Sequence, residues 1–422
     1  MNRRRFLDAA LISATGALAT PRLSPAQSSD TEGAVAAAHK EIWRRFVDRH
    51  GILIDFADLD GSVSLPTPEE CRLGKPNALG WWSPIENGAM FNGMYLEAAI
   101  LRWQVSADQD AAGKARRLME GLLHLNSISD VPGFVGRGVS TDGRSHYPMG
   151  SNDQTFPWFY GLWRYLEAGH AEDAATRDRI LGHLVLTADE IVKRRWLMPA
   201  EPPFGVRGGF GSTGFEHAPR LLFVCKMMHR LTGDTAWDTR YREALPERLA
   251  ACERGMVFDS HPHSWTAVNS VCALRGLWEM ETDDALKSRY ATGLQNSAAQ
   301  ALASLPLADR WDNADRSHFD HNWRVMNDQW QPQQTEQEAQ TLAEAQLRSF
   351  LKVSPRRNLE TQFVREPTFA AWIVTLAPDR DLLASRADAV KRVIARYDYS
   401  RLIYSQFFPV ETAWWRLRAA LG

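Results

Sequence analysis

Three short segments of this 422-residue chain place a carboxylate where an apolar run begins: Ile85-Glu86-Asn87-Gly88, Ser151-Asn152-Asp153-Gln154 and Gly214-Phe215-Glu216-His217. A carboxylic acid can protonate a leaving oxygen, and a carboxylate can activate water or attack a sugar carbon. Two of them together therefore suit cleavage of a glycosidic bond. The same residues have a plainer reading, because an acidic side chain at a helix start caps it or offsets its dipole for about 0.3–1 kcal/mol. The two readings part on whether the helix starts meet in space. We expect that they do, with Asp153 as general acid/base and Glu86 or Glu216 as its partner.

Other residue types that bind sugars lie close by in sequence. Residues 128–154 are glycine-rich and carry Arg137, Arg144, His146 and Tyr147. A guanidinium matches a carboxylate in bidentate fashion, so Arg137, His146 and Tyr147 are candidate substrate contacts, as are Asn87 and Gln154 at the helix starts. A solvated loop with ordinary turn glycines is the alternative. The segment Phe204-Gly205-Val206-Arg207-Gly208-Gly209-Phe210-Gly211 lacks the Gly-Lys-Ser/Thr ending of a nucleotide phosphate loop.

Histidines recur in His261-Pro262-His263-Ser264-Trp265 and in His318-Phe319-Asp320-His321-Asn322-Trp323-Arg324. Such spacings can hold a metal. Interleaving with Trp and Arg looks more like hydrogen bonding and stacking around a sugar, and a structural role stays open too. We take His217, His263 and His321 as candidate hydrogen-bonding groups, and Trp82, Trp158, Trp265 and Trp323 as candidate stacking platforms. No metal site and no cofactor are expected.

The elements that must position these residues are helical. An apolar period of 3.6 marks helices near 34–49, 84–106, 111–126, 153–169, 174–195, 215–232, 236–253, 264–281, 284–304, 335–352, 365–377, 380–397 and 408–421. Strand-like alternation is rare, the best short case being Ile52-Leu53-Ile54-Asp55-Phe56. Short connections, several with an N-cap aspartate, alternate with long ones. That alternation builds antiparallel hairpins whose long loops share one end. The expected fold is all-α, a single (α/α)6 toroid over 31–422, with an α-solenoid as the alternative. Function would then sit on the long loops and on the first turns of the inner helices.

Composition narrows the function classes. Lys+Arg total 49 against 51 Asp+Glu, for a formal charge of −2, which argues against a nucleic-acid partner. Sixteen Trp make sugar stacking plausible. Asn2-Arg3-Arg4-Arg5-Phe6-Leu7 followed by a modestly apolar run resembles a twin-arginine export signal over 1–27, so a periplasmic or secreted protein is expected. Its removal takes away four arginines and one aspartate and leaves a charge of −5. No membrane anchor is expected. Cys71, Cys225, Cys252 and Cys272 form no Cys-x-x-Cys pair and are expected to be free thiols. Oligomeric state is not legible.

The helix pattern, Trp81-Trp82-Ser83-Pro84-Ile85-Glu86-Asn87-Gly88-Ala89-Met90-Phe91 and Gly150-Ser151-Asn152-Asp153-Gln154-Thr155-Phe156-Pro157-Trp158 together resemble the six-hairpin glycosidases. That superfamily includes the unsaturated glucuronyl and rhamnogalacturonyl hydrolases and the β-glucuronidases of glycoside hydrolase family 154. The resemblance implies an exported hydrolase of uronic-acid-containing oligosaccharides or polysaccharides, releasing terminal β-glucuronic acid. It matches Asp153 to the family's acid/base by context, and Asp130 to a second aspartate. A polysaccharide lyase acting through Asn87, Arg137, His146 and Tyr147 is the first alternative. A non-catalytic periplasmic sugar-binding protein is the second.

Overall fold

The computed structural model describes residues 31–169, 173–258 and 262–422. The expected export signal over 1–27 and His261 lie outside the described residues. In chain order the first helices are α1 (Thr31–Glu41), α2 (Pro68–Leu73), α3 (Gly88–Ser106), α4 (Gln109–Leu125), α5 (Asn152–Glu167), α6 (Ala174–Lys193) and α7 (Ala218–Thr232). They are followed by α8 (Thr235–Arg254), α9 (Ser264–Met280), α10 (Asp284–Leu302), α11 (Glu336–Val353), α12 (Pro355–Glu360), α13 (Glu366–Thr375), α14 (Arg380–Ile394) and α15 (Pro409–Leu421). The chain is all-α apart from one antiparallel hairpin among the described residues, β1 (Leu197–Pro199) with β2 (Val206–Gly209). The alternating run Ile52–Phe56 builds no strand and contributes only single bridges, Val47 to Leu53 and Phe56 to Tyr404.

Six helices pack in sequence: α3 on α5, α5 on α7, α7 on α9, α9 on α13, α13 on α15, and α15 back on α3. Each also packs against a second helix, respectively α4, α6, α8, α10, α14 and α1. The first six are the more enclosed. Every residue of α13 is buried, whereas in α6 only Thr176, Ile180, Leu184, Thr187, Ala188 and Ile191 are. One continuous apolar cluster runs from Val35 to Leu417 through all of them.

Glycine sets the closest of these approaches. A Cβ on Gly93 of α3 would lie 2.0 Å from the Pro157 carbonyl of α5, and one on Gly161 would lie 2.7 Å from the Gly93 Cα. Only hydrogen fits there, so the two backbones nearly touch and their first turns are drawn side by side.

Capping divides the helices in the same way as burial. Asp108, Asp173, Asp234, Asp283 and Asp379 each accept a backbone N–H at the start of α4, α6, α8, α10 and α14. The N-cap residues of α3, α5, α7, α9, α13 and α15 are Asn87, Ser151, His217, His263, Arg365 and Phe408, and none makes a side-chain cap bond. At α3, α5, α7, α9 and α15 the first-turn N–H groups and positive dipole ends are therefore left for other partners, whereas α13 continues from the helical turn Thr361–Arg365, with the Glu366 N–H donating to the Thr361 carbonyl.

Helix α11 stands outside this cycle and packs over residues 77–82. The Ala343 carbonyl accepts Trp82 Nε1 at 2.9 Å, and Gln346 Oε1 accepts Asn77 Nδ2 at 2.9 Å. All four cysteines are buried and unpaired. No helix among the described residues is long and apolar enough to cross a membrane.

Candidate functional site

The uncapped helix starts are stitched to one another by side chains. Asn87, before α3, donates its backbone N–H to Asp55 Oδ2 at 2.8 Å and its amide to Asp55 Oδ1 at 2.6 Å. Gln154, in the first turn of α5, donates to Asn87 Oδ1 at 3.3 Å and accepts the Met90 N–H at 3.0 Å. One residue earlier, Asp153 accepts Arg220 Nη1 of α7 at 2.9 Å. Arg220 Nε then donates to Ser270 of α9 at 3.0 Å, and Ser270 donates to the Glu216 carbonyl at 2.7 Å. Further round, Ser264 N–H reaches Glu366 of α13 at 2.8 Å, and Thr368 donates to the Gln406 carbonyl before α15 at 3.1 Å. The starts of α3, α5, α7, α9, α13 and α15 thus share one rim.

Asp55 is the member of this rim that sequence reading missed, since it stood only as one position of an alternating run. Its segment is pinned from both sides: Asp55 N–H donates to the Pro84 carbonyl at 2.8 Å, and Ser405 N–H donates to the Asp55 carbonyl at 2.9 Å. Burial, followed by the neighbouring Glu86 carboxylate, holds the Asp55 carboxyl well above the usual range, against the hydrogen bonds from Asn87. Burial and a neighbouring negative charge both favour the protonated form of Asp55. Glu86 is the more open of the two. Its Oε2 accepts the Trp82 N–H at 3.0 Å. Trp82 holds φ at +74°, a conformation a bulky side chain rarely adopts and one that costs about 1–3 kcal/mol.

Glu216 precedes α7, half-exposed, with His217 Nε2 3.8 Å away. Its carboxyl is lowered by His217 first and by Arg220, against burial and the Asp153 charge. His217 Nδ1 is buried without a hydrogen-bond partner. Aromatic groups border the rim: Trp265 lies in the first turn of α9 under the Arg365 guanidinium, 4.2 Å from the ring centre, and Tyr404 feels the charges of Arg357, Glu86 and Asp55.

Several residues chosen from sequence lie elsewhere. Arg137 is buried and donates to three backbone carbonyls, Met149 at 2.9 Å, Glu86 at 2.9 Å and Gly150 at 3.2 Å, so it braces the loop behind the rim. His146 bonds Glu201 at 3.1 Å and the Arg144 carbonyl at 2.8 Å, in a surface pocket lined by Pro68, Cys71 and Ile128. Tyr147 is fully enclosed and donates to the Lys75 carbonyl at 2.5 Å. Trp158 and Trp323 have no exposed surface, their indole N–H groups tied to the Leu122 and Ser64 carbonyls at 2.9 and 2.7 Å. His321 packs edge-on to Phe319 and lies 3.6 Å from Asp58, and Asp130 is exposed. His263 stands at the α9 start, 4.9 Å from the Phe258 ring.

A cleft of about 450 Å³ opens at the opposite end, at the C-terminal turns of the same helices. Ion pairs within the protein occupy its walls: Arg416 with Glu97, and Arg164 and Arg275 with Glu279. No cluster of three or more His, Cys, Asp or Glu with metal-binding geometry occurs among the described residues. Compared with models of protein families, with curated proteins and with solved structures, the chain matches none.

Proposed function

We propose that this chain is an (α/α)6 toroid of the six-hairpin glycosidase type and hydrolyses uronic-acid-containing saccharides, releasing terminal β-glucuronic acid. The cycle of contacts that returns from α15 to α3 supports a closed ring over a solenoid, whose terminal repeats do not meet. The observation that carries the chemistry is the gathering of Asp55, Glu86, Asp153 and Glu216 at one rim, with the Asp55 carboxyl raised by burial and by Glu86, and Asp153 paired to a buried guanidinium. Glycosidic cleavage needs two such unlike carboxyls, one that gives a proton and one that works as an anion.

In this scheme Glu86, the more open of the two, faces the substrate as general acid, and Asp55, tied to Asn87, is a positioning residue. Asp153 is the carboxylate that activates water or attacks the sugar. Arg220 holds it in place through the 2.9 Å ion pair. The uncapped helix starts add partial positive charge where negative charge on the substrate would lie. The N-terminal segment that resembles a twin-arginine signal would send such an enzyme to the periplasm or outside the cell.

The deciding experiment incubates the purified protein with a panel of aryl glycosides, including the β-glucuronide, and with oligosaccharides whose uronic acids are linked through O4, and weighs the products. Addition of one water with release of glucuronic acid is the expected result. An unsaturated uronate product would replace hydrolysis by β-elimination. No conversion of any member would leave a sugar-binding protein.

A further inference from the structure

Among the described residues, two arginines of the rim have no ionic partner. Arg356 pairs with Glu360 at 2.8 Å, and Glu360 also accepts the N–H groups of Ile403 and Tyr404, at 3.0 and 2.9 Å. Glu366 is taken by Ser264 and Ser304, at 2.8 and 3.0 Å. Their neighbours Arg357 and Arg365 form no hydrogen bond from the guanidinium and no ion pair with any described residue. Arg365 Nε is moreover buried without a partner.

Both guanidiniums instead lie on aromatic faces. Arg357 is 4.7 Å from the Trp82 ring and 6.0 Å from Tyr404, and Arg365 is 4.2 Å from Trp265. The two sense each other's charge. Burial, then Arg357, lowers the Arg365 guanidinium, while Glu366 and Glu86 offset this. Arg365 ends a π-helical turn, Thr361–Arg365, inserted between α12 and α13. Such turns are rare and concentrate at functional sites. Two like charges near one another over apolar rings, with Glu360 engaged and Glu366 and Glu86 offsetting them only in part, leave room for a ligand anion to complete the set.

We propose that Arg357 and Arg365 receive the carboxylate of a uronic acid ring that stacks on Trp265. This rests on the glycosidase reading and assigns its selectivity for acidic sugars to residues other than Arg137 and His146. The planar forks suit a carboxylate, and Arg357 lies over Trp82, whose backbone N–H binds Glu86 at 3.0 Å, so the recognised ring is the one that reacts.

The test uses Arg357→Gln, Arg365→Gln and Arg365→Lys in the full chain, with two readouts. The first is the ratio of kcat/KM for an aryl β-glucuronide to that for the matching β-glucoside. Loss of a charge-assisted contact should lower it by roughly 10–100-fold in either Gln variant, with Arg365→Lys between them and wild type. The second is quenching of tryptophan fluorescence by free glucuronate, glucose and inorganic sulfate. Wild type should respond to glucuronate above both others, and the Gln variants should lose that difference. If glucuronide hydrolysis is robust and the ratio is unchanged in both Gln variants, the pair does not read the carboxylate and the glycosidase reading stands. If no glycoside is cleaved yet glucuronate quenches wild type and not Arg365→Gln, the subsite stands and the hydrolase reading falls. Equal responses to sulfate and glucuronate would replace the uronate by a sulfated sugar, and no response to either would overturn the proposal. Thermal midpoints within a few degrees of wild type confirm that each variant is folded.

Discussion

Arg220 has no exposed surface, yet only one of its terminal amines meets a carboxylate: Nη1 donates to Asp153 at 2.9 Å, while Nη2 is buried without a partner. The pair joins α5 to α7 and fixes Asp153 at the rim. It also means that Asp153 serves the fold as well as the proposed reaction.

Asp153→Asn is expected to lower glucuronide turnover at least ~100-fold, because an amide neither takes a proton from water nor attacks as an anion. It should lower stability too, since breaking a buried pair leaves an uncompensated charge at a cost of up to about 3–5 kcal/mol. The double variant Asp153→Asn/Arg220→Met separates the two effects. Its thermal midpoint should recover towards wild type while its rate stays low. Recovery of the rate with the midpoint would make Asp153 purely structural.

Asp55 gives a pH dependence with a definite sign. Its raised value means that, once pH passes the ordinary aspartate range, the folded protein keeps a proton the unfolded chain has lost. Its contribution to stability is therefore complete below that range and is lost as pH rises through the folded value. In Asp55→Asn that decline should vanish, so the difference in midpoint, variant minus wild type, grows with pH across the window. The pH profile of kcat/KM should change as well, because Asp55, whose carboxyl is the raised one, no longer titrates beside the site. Unchanged limbs with a changed midpoint would confine Asp55 to packing.

Arg137→Gln should act on stability. Three carbonyls lose a charged donor, at about 1.5–3 kcal/mol for a single such bond and less than additively for three. Thermal melts should show a large drop, and kcat/KM measured well below the new midpoint should stay within a few-fold of wild type. Loss of glucuronide selectivity in this variant would return Arg137 to the substrate site.

The tryptophans should divide by position. Trp158→Ala and Trp323→Ala remove fully buried rings and should each cost about 3–5 kcal/mol in chemical denaturation. Trp265→Ala, at the half-buried rim, should cost far less stability and raise KM for the glycoside. A silent Trp265 variant would remove the stacking platform from the scheme.

What the sequence determined by itself was periodic and local. Apolar spacing at 3.6 residues located the long helices to within a few residues, and aspartates before α4, α6, α8, α10 and α14 announced their caps, since a cap is made with the next turn of the same chain. Glu86, Asp153 and Glu216 were legible for the same reason: they stand at helix starts, and equivalent starts face one way when hairpins alternate. Tertiary structure decided everything that depends on the far side of a contact. Arg137, Tyr147, Trp158 and Trp323 read as binding groups because their types bind sugars, but their donors are taken by backbone carbonyls distant from them in the chain or beyond a loop. Asp55 is some thirty residues from the nearest carboxylate of the rim, and no pattern in its own segment shows that Asn87 and Glu86 will fold against it. Arg357 and Arg365 were equally silent, because a lack of ionic partners is a property of surroundings and becomes visible only once every neighbouring acid has been placed.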